Sequence, residues 1–539
     1  MKKILKKMII FSLITLLFIS SAGATINIKN NKNITQQKDI YQDNEISKKN
    51  LNNDIDYKIS VNIKEIRAYD TIDFFSDPDF YVLVFVNNVK YKSPCWKNQK
   101  YITEEWSTGT IDVPDDIDEV DIKIQLWDKN FLKDKLCDIS SNVEYGYNDS
   151  QLDVELIYDL KSGHWRGDDF IYPYYISNLD KSGYGRLNGC DDNSIYENDR
   201  DCEIIFDITQ NDPDGDGIPY WTEVNVFGTD PEVNDTGMDC DNDGVPIEWE
   251  YKWGHYFYYN YNNHEYESYW FYDPFVKEDH SNIDFDNDGL QNTEEYLTSK
   301  WGSDPFRKDI FLELNQMELG PDNQGGFVPE LSKQLIQDPF RKHNIFLHID
   351  DGCMGGGQKN ITFDPQTTRE ELHQIYFEYF LQNDSDYWRR GIFHCAIIVY
   401  NCSSGSGFAF STKVNDTRRL DSFLIGSKTN DNGPIYKYPI KNILKRKSLD
   451  PEYHRRISYA SAMMHELGHT LGIFRSNTPG CDNPAAVFPR EEWLKYLGYR
   501  SCMSYNNVFY LIDYSDGSRG KNDFNDWSTI DLTLFEKDL

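Results

Sequence analysis

Apolar residues recur at every second position in 57–63, 80–86 and 120–127, and again in 152–158 and 203–208. A period of two is that of a strand with one face in a core, so these segments predict an antiparallel β-sandwich over 55–209. From 309 the pattern changes. Short apolar runs at 309–315, 344–350, 392–400 and 421–426 alternate with segments of helical period at 328–342, 368–380 and 449–471. Strands alternating with helices predict a mixed layer of both, an α+β domain over 309–539. Between these two patterns, 210–308 is acidic and rich in turn residues, with a dense aromatic stretch over 251–275 that is expected to pack against a neighbouring domain.

The chain opens differently. Lys2, Lys3, Lys6 and Lys7 precede an apolar run over 8–18, and Ala22-Gly23-Ala24 has a small-x-small pattern. Residues 1–24 therefore read as a secretory signal, and the polar stretch 25–54 as a flexible linker. Export to the outside or to the cell surface follows. At 539 residues with a formal charge of −34, the chain is expected to be multidomain and a poor partner for nucleic acid. Loss of the four leader lysines takes the charge to −38. Ten scattered cysteines in an exported chain predict disulfides, with Cys190–Cys202 and Cys481–Cys502 the expected short loops.

The acidic residues are not spread evenly. Asp212, Asp214 and Asp216 are followed by Gly217 and, at the twelfth position, Glu223. Asp239, Asp241, Asp243, Gly244 and Glu250 repeat the spacing, as do Asp284, Asp286, Asp288, Gly289 and Glu295. Carboxylates at one, three and five, a glycine at six and a glutamate at twelve are what a seven-oxygen calcium cage needs. The repeat resembles the EF-hand-like loops of thrombospondin type 3 modules. In two units a proline (Pro219, Pro246) starts the following helix, which departs from a true EF-hand. The expected role is structural, conferring rigidity rather than sensing.

Two sandwich loops are also acidic. One carries Asp70, Asp73, Asp77 and Asp79; the other carries Asp128, Asp134 and Asp138. They resemble the calcium loops of C2 domains, although the second lacks the usual pair of aspartates one residue apart. That resemblance assigns calcium to Asp70, Asp77, Asp128 and Asp134. It leaves membrane, glycan or the C-terminal domain as the sandwich's calcium-dependent contact.

The last helical segment contains His465-Glu466-x-x-His469. Histidines four apart share one helix face, so both imidazoles can reach one zinc ion. Glu466 is then placed to take a proton from a zinc-bound water. Gly472 stops the helix, and Ser501-Cys502-Met503-Ser504-Tyr505 follows. Helix, glycine and this S-x-M-x-Y stretch resemble the metzincin zinc peptidases. The resemblance implies Met503 beneath the metal, Tyr505 near the oxyanion, and an edge strand (405–412 here) that aligns a protein or peptide substrate. The third histidine of that family is replaced by Arg475. Asp482 is the first substitute ligand, with Cys481, Glu491 and Glu492 as alternatives. The expected activity is zinc-dependent endopeptidase chemistry stabilised by calcium. The alternative is a calcium-dependent surface adhesion protein with an inactive peptidase-like domain.

Overall fold

The computed structural model describes residues 56–141, 151–169, 182–192, 194–321, 323, 327–357, 360–431, 451–483 and 491–539. The signal and linker segments lie outside the described residues. Asp56 to Leu539 form one compact unit built on several β-sheets and helices.

The alternating segments form two sheets. Strands β1 (Lys58–Ala68), β2 (Phe80–Val86), β3 (Val89–Lys92), β4 (Glu119–Asp128), β5 (Val154–Asp159), β6 (His164–Gly167), β7 (Arg186–Asn188) and β8 (Cys202–Gln210) carry most of both. One sheet runs β7-β8-β1, with three two-residue strands also paired to β1; the other runs β6-β5-β4-β2-β3. β4 shows why the pattern was readable, since Val120, Ile122, Ile124 and Leu126 are all buried while the residues between them are not.

The acidic middle holds helix α1 (Ile247–Gly254), a hairpin of β9 (His255–Asn260) and β10 (Glu265–Trp270), and helix α2 (Asn292–Thr298). The aromatic stretch packs on the sandwich. His255 stacks on His164 at 4.6 Å, and the Tyr251 hydroxyl donates to the Ser162 carbonyl at 2.7 Å.

The C-terminal part contains β11 (Lys308–Gln316), helix α3 (Glu330–Lys342), β12 (Ile345–Asp350), helix α4 (Arg369–Ile375), β13 (Phe393–Val399), β14 (Gly407–Val414), β15 (Thr417–Gly426) and helix α5 (Pro451–Thr470). The sheet order is β12-β11-β13-β15-β14. All neighbours are parallel except β14, the antiparallel edge strand. Ile310, Leu312 and Leu314 of β11 face α3 and α5 in one core, and Phe311 faces the other side with Leu372 and Phe380. Both faces are covered, which is why these strands read as continuous apolar runs.

The sandwich and the C-terminal part meet through buried charges. Arg67 of β1 donates to Asp338 of α3 at 2.7 Å, and Lys100 and Tyr101 reach the other oxygen of the same carboxylate. Arg341 bridges Glu65 and Glu203, and its guanidinium lies 3.8 Å from the ring centre of Phe346.

The expected disulfides are not formed. Cys190 donates to Asp201, Cys202 faces the thiol of Cys137, and all ten cysteines are free. Loop length had favoured Cys190, but the bridge between Asp138 and Asp201 sets Cys137 beside Cys202.

Candidate metal centres

The length of α5 sets both imidazoles on one face. His465 Nδ1 lies 2.9 Å from the Cys502 carbonyl, and His469 Nδ1 lies 2.8 Å from the Ile473 carbonyl. A carbonyl only accepts, so each Nδ1 carries a proton, and in the neutral ring each Nε2 presents its lone pair. Those two Nε2 atoms face one carboxylate, with His465 3.3 Å from Asp482 Oδ1 and His469 3.4 Å from Oδ2. Lone pairs facing carboxylate oxygens need a cation between them, either a proton or a metal. Without a metal, burial opposes charge on His465, but the hydrogen bond to Asp482 raises its pKa overall. Asp482 is held well below the usual carboxylate range, its burial outweighed by His465 and His469.

Asp482 reaches this position because the chain turns back there. Its φ is +49°, and its amide donates to the Met503 carbonyl at 3.1 Å. Met503 is fully buried beneath α5, where a Cβ on Gly468 would lie 2.6 Å from its sulfur. Tyr505 stacks on His465 at 5.7 Å, and its hydroxyl hydrogen-bonds Asp482. Cys481 is buried with its thiol pointed at the Ile473 carbonyl. Glu492 pairs with Arg475 at the surface, and Glu491 begins the same short helix.

Glu466 reaches toward the edge strand. It is buried, and its Oε2 has no partner. Burial raises its pKa above the ordinary value, with the two histidines opposing. The Ala409 amide donates to it, and a Cβ on Gly407 would lie 2.6 Å from Oε1. The base candidate and β14 are therefore in direct contact. Among the described strands, β14 pairs only with β15 and leaves its outer edge open.

The three loops are built by local geometry. Gly217, Gly244 and Gly289 have φ of +92°, +107° and +100°, a left-handed turn that a side chain would strain. Each first aspartate accepts from the amide of the glycine at position six: Asp212 from Gly217, Asp239 from Gly244 and Asp284 from Gly289. Ile218, Val245 and Leu290 at position seven are buried and anchor the turns. Glu223, Glu250 and Glu295 at position twelve are buried, each with at least one oxygen unpartnered. Burial and the facing aspartates push Glu223 up to about 8 and Glu250 up to about 10. Unpartnered oxygens of Asp214, Asp241 and Asp286 lie in the same loops. Such an oxygen set suits a hard divalent cation.

One neighbour was not visible in the sequence. His280 Nε2 lies 3.1 Å from Asp243 in the second loop, and its Nδ1 accepts from the Asn292 side chain. Nε2 therefore carries the proton and lies beside Asp243 without a formed hydrogen bond. Only the approach of a distant turn places it there.

Of the four sandwich aspartates, Asp128 and Asp134 share Asn130 as a donor, while Asp70 and Asp77 are held by other partners. Asp70 accepts the amides of Arg200 and Asp201. Asp134 accepts from the Tyr81 hydroxyl and the Asn130 amide. Asp128 accepts from the Asp79 amide and the Asn130 side chain, and Asp77 is held to Asn98 through its amide. The Lys135 ammonium lies 2.8 Å from Asp73 and 3.8 Å from Asp128. Lys135 thus places a positive charge between these two acidic side chains.

No family model matches the chain, and no curated protein does. Among solved structures, a C2 domain aligns with 29% of this chain and 98% of its own length, at 13% identity and a TM-score of 0.16. A C2 domain of plant extended synaptotagmin 1 aligns with 29% of this chain and 95% of its own length, at 8% identity and a TM-score of 0.17. A human GIVD cytosolic phospholipase A2, in complex with methyl gamma-linolenyl fluorophosphonate inhibitor and terbium chloride, aligns with 29% of this chain at 12% identity and a TM-score of 0.16. This chain covers 17% of that phospholipase.

Proposed function

We propose that this chain is an exported zinc-dependent endopeptidase, metzincin-like in its C-terminal part and stabilised by calcium in its three repeat loops. The observation that carries the reading is the convergence of His465 Nε2, His469 Nε2 and the Asp482 carboxylate, with Glu466 beside them, one of its oxygens unpartnered, and an open edge strand. Two imidazoles and a carboxylate fit zinc, with Asp482 in the place of the missing third histidine. When bound, zinc supplies Lewis acidity that acidifies water and polarises a carbonyl.

The chain's own residues supply the rest. A peptide adds to β14 as a further strand, its backbone groups meeting the open edge. Glu466 takes the proton from the attacking water and delivers it to the leaving amine, its buried carboxylate having a raised proton affinity. The Tyr505 hydroxyl donates to the oxyanion that develops on the scissile carbonyl. The backbone acceptors at Cys502 and Ile473 hold both imidazoles in the tautomer that presents Nε2.

In the repeat module, Glu223, Glu250 and Glu295 close three calcium cages with the aspartates at positions one, three and five. Their role is to hold the acidic middle of the chain in shape.

The test pairs metal content with hydrolysis of an unstructured protein substrate. The parent should hold one zinc and cleave. Glu466→Gln should keep the zinc and lose at least ~100-fold in rate. Asp482→Ala should lose the zinc. A parent that binds calcium but neither binds zinc nor cleaves would turn the reading to an adhesion protein.

A further inference from the structure

Asp70 and Asp138 do not join the other sandwich aspartates. They meet a third segment, the connection between β7 and β8. One oxygen from each of Asp138, Asp192 and Asp199 lies within 4.8 Å of the others, and the same holds for Asp70, Asp199 and Asp201. Asp199 belongs to both triads. Five carboxylates from three separate segments therefore share one place.

Asp138 is the centre of this cluster. It is fully buried, its Oδ1 accepts from the Ser140 amide, and its Oδ2 is buried without a partner. Asp199 Oδ1 is also buried and unpartnered. The backbone fixes the position, since Asp138 donates to the Arg200 carbonyl and accepts from the Cys202 amide at 2.8 Å. A Cβ on Gly189 would lie 2.5 Å from the Asp138 carbonyl oxygen, so the connection packs directly on it. The remaining carboxylates are oriented by local donors. Asp192 accepts from the Ser194 amide, Asp70 from two amides, and Asp201 from the Cys190 thiol and Ser194 hydroxyl.

Among the described residues, no cation fills the cluster as Lys135 does between Asp73 and Asp128. Arg200 acts on Asp138 electrostatically, but its Nε donates to the Asp199 carbonyl. A buried carboxylate oxygen without a donor, beside others of like charge, is costly unless a cation neutralises them.

We propose that Asp138, Asp192 and Asp199, supported by Asp70 and Asp201, form a fourth calcium site, which ties the sandwich loops to the connection entering β8. All-oxygen donors select a hard cation, and the number and flexibility of carboxylates suit calcium rather than magnesium. The site is independent of the three repeat loops and of the zinc centre.

The full mature chain serves for the test, with calcium as the probe. Calcium per chain is counted by equilibrium dialysis, and hydrogen exchange is followed over 189–202. The parent should slow its exchange there at least tenfold on adding calcium, and Asp138→Asn should bind one ion fewer and lose that protection. With calcium removed, Asp138→Asn should melt no lower than the parent, because the substitution relieves repulsion; a purely structural role would lower it. Should Asp138→Asn fail to fold, Asp199→Asn, which is less buried, decides by the same two readouts. An unchanged ion count with unchanged protection overturns the site. Equal protection by magnesium at the same concentration overturns the choice of calcium.

Discussion

The repeat loops and the sandwich tips are both dense in aspartate, yet they treat charge in opposite ways. In the repeat loops, the turn geometry aims carboxylates at one another and leaves Glu223, Glu250 and Glu295 buried with open oxygens. At the sandwich tips, Asp128 and Asp134 accept from protein donors, and Lys135 stands between Asp73 and Asp128. The same contrast holds at the seam between sandwich and C-terminal part, where Arg67 and Lys100 satisfy Asp338. Acid content does not mark a cation site; unmet acceptors do.

The sharpest way to break this contrast is to remove calcium. Chelation should cost the mature chain at least ~4 kcal/mol, the linkage expected of one site filled at a thousand times its dissociation constant. Calorimetry with and without chelator reads this, and an unchanged melting temperature would show that the repeat loops carry their charge unaided.

The paired region should answer to substitution and acid instead. Asp338→Ala leaves Arg67 short of its partner in a buried place and should cost about 3 kcal/mol, with or without calcium. Burial alone would raise the Asp338 pKa, but Lys100, Arg67 and Tyr101 hold it below its ordinary value. Its contribution is therefore full above the unfolded carboxylate pKa of ~3.9 and lost as pH falls through the lower folded value. The stability of Asp338→Asn, measured between pH 5 and 2, should fall less steeply than that of the parent.

Glu250→Gln should give a smaller effect that appears only with calcium. With calcium the variant binds one ion fewer and melts earlier. Without calcium it should melt no lower than the parent, since a carboxyl pushed up to about 10 is already uncharged at neutral pH. A loss under both conditions would mean that Glu250 is paired as Asp338 is. The smallest effect belongs to Lys135→Met, about 1 kcal/mol for a partly exposed ion pair. Its calcium count should stay the same, and a gain of one ion would show that the sandwich tips are cages held shut by a lysine.

What the sequence disclosed follows from how far each feature reaches along the chain. The loops and α5 are readable because contiguous residues build them: glycine at six, glutamate at twelve, histidines one turn apart. Strands β1 and β4 are readable because one buried face imposes alternation, and β2 because it is an apolar run buried on both faces. Asp482 was named from its chemistry and nearness in sequence; its left-handed backbone and the amide bond to Met503 bring it to the imidazoles. Lys135 was missed because alternation says nothing of which charges meet across a loop tip. The cluster around Asp138 and the pairing of Arg67 with Asp338 join segments far apart in sequence, so no spacing rule reaches them. The cysteine expectation failed for the same reason, loop length being a weaker guide than the bridge that places Cys137 beside Cys202.

Gly407 sets how closely the edge strand approaches Glu466. One added carbon there would press on Glu466, whose side-chain atoms are its three nearest neighbours. Under the proposed function, Gly407→Ala should keep its metal and lose hydrolysis, because it displaces Glu466 without altering any proposed ligand or the charge beside it.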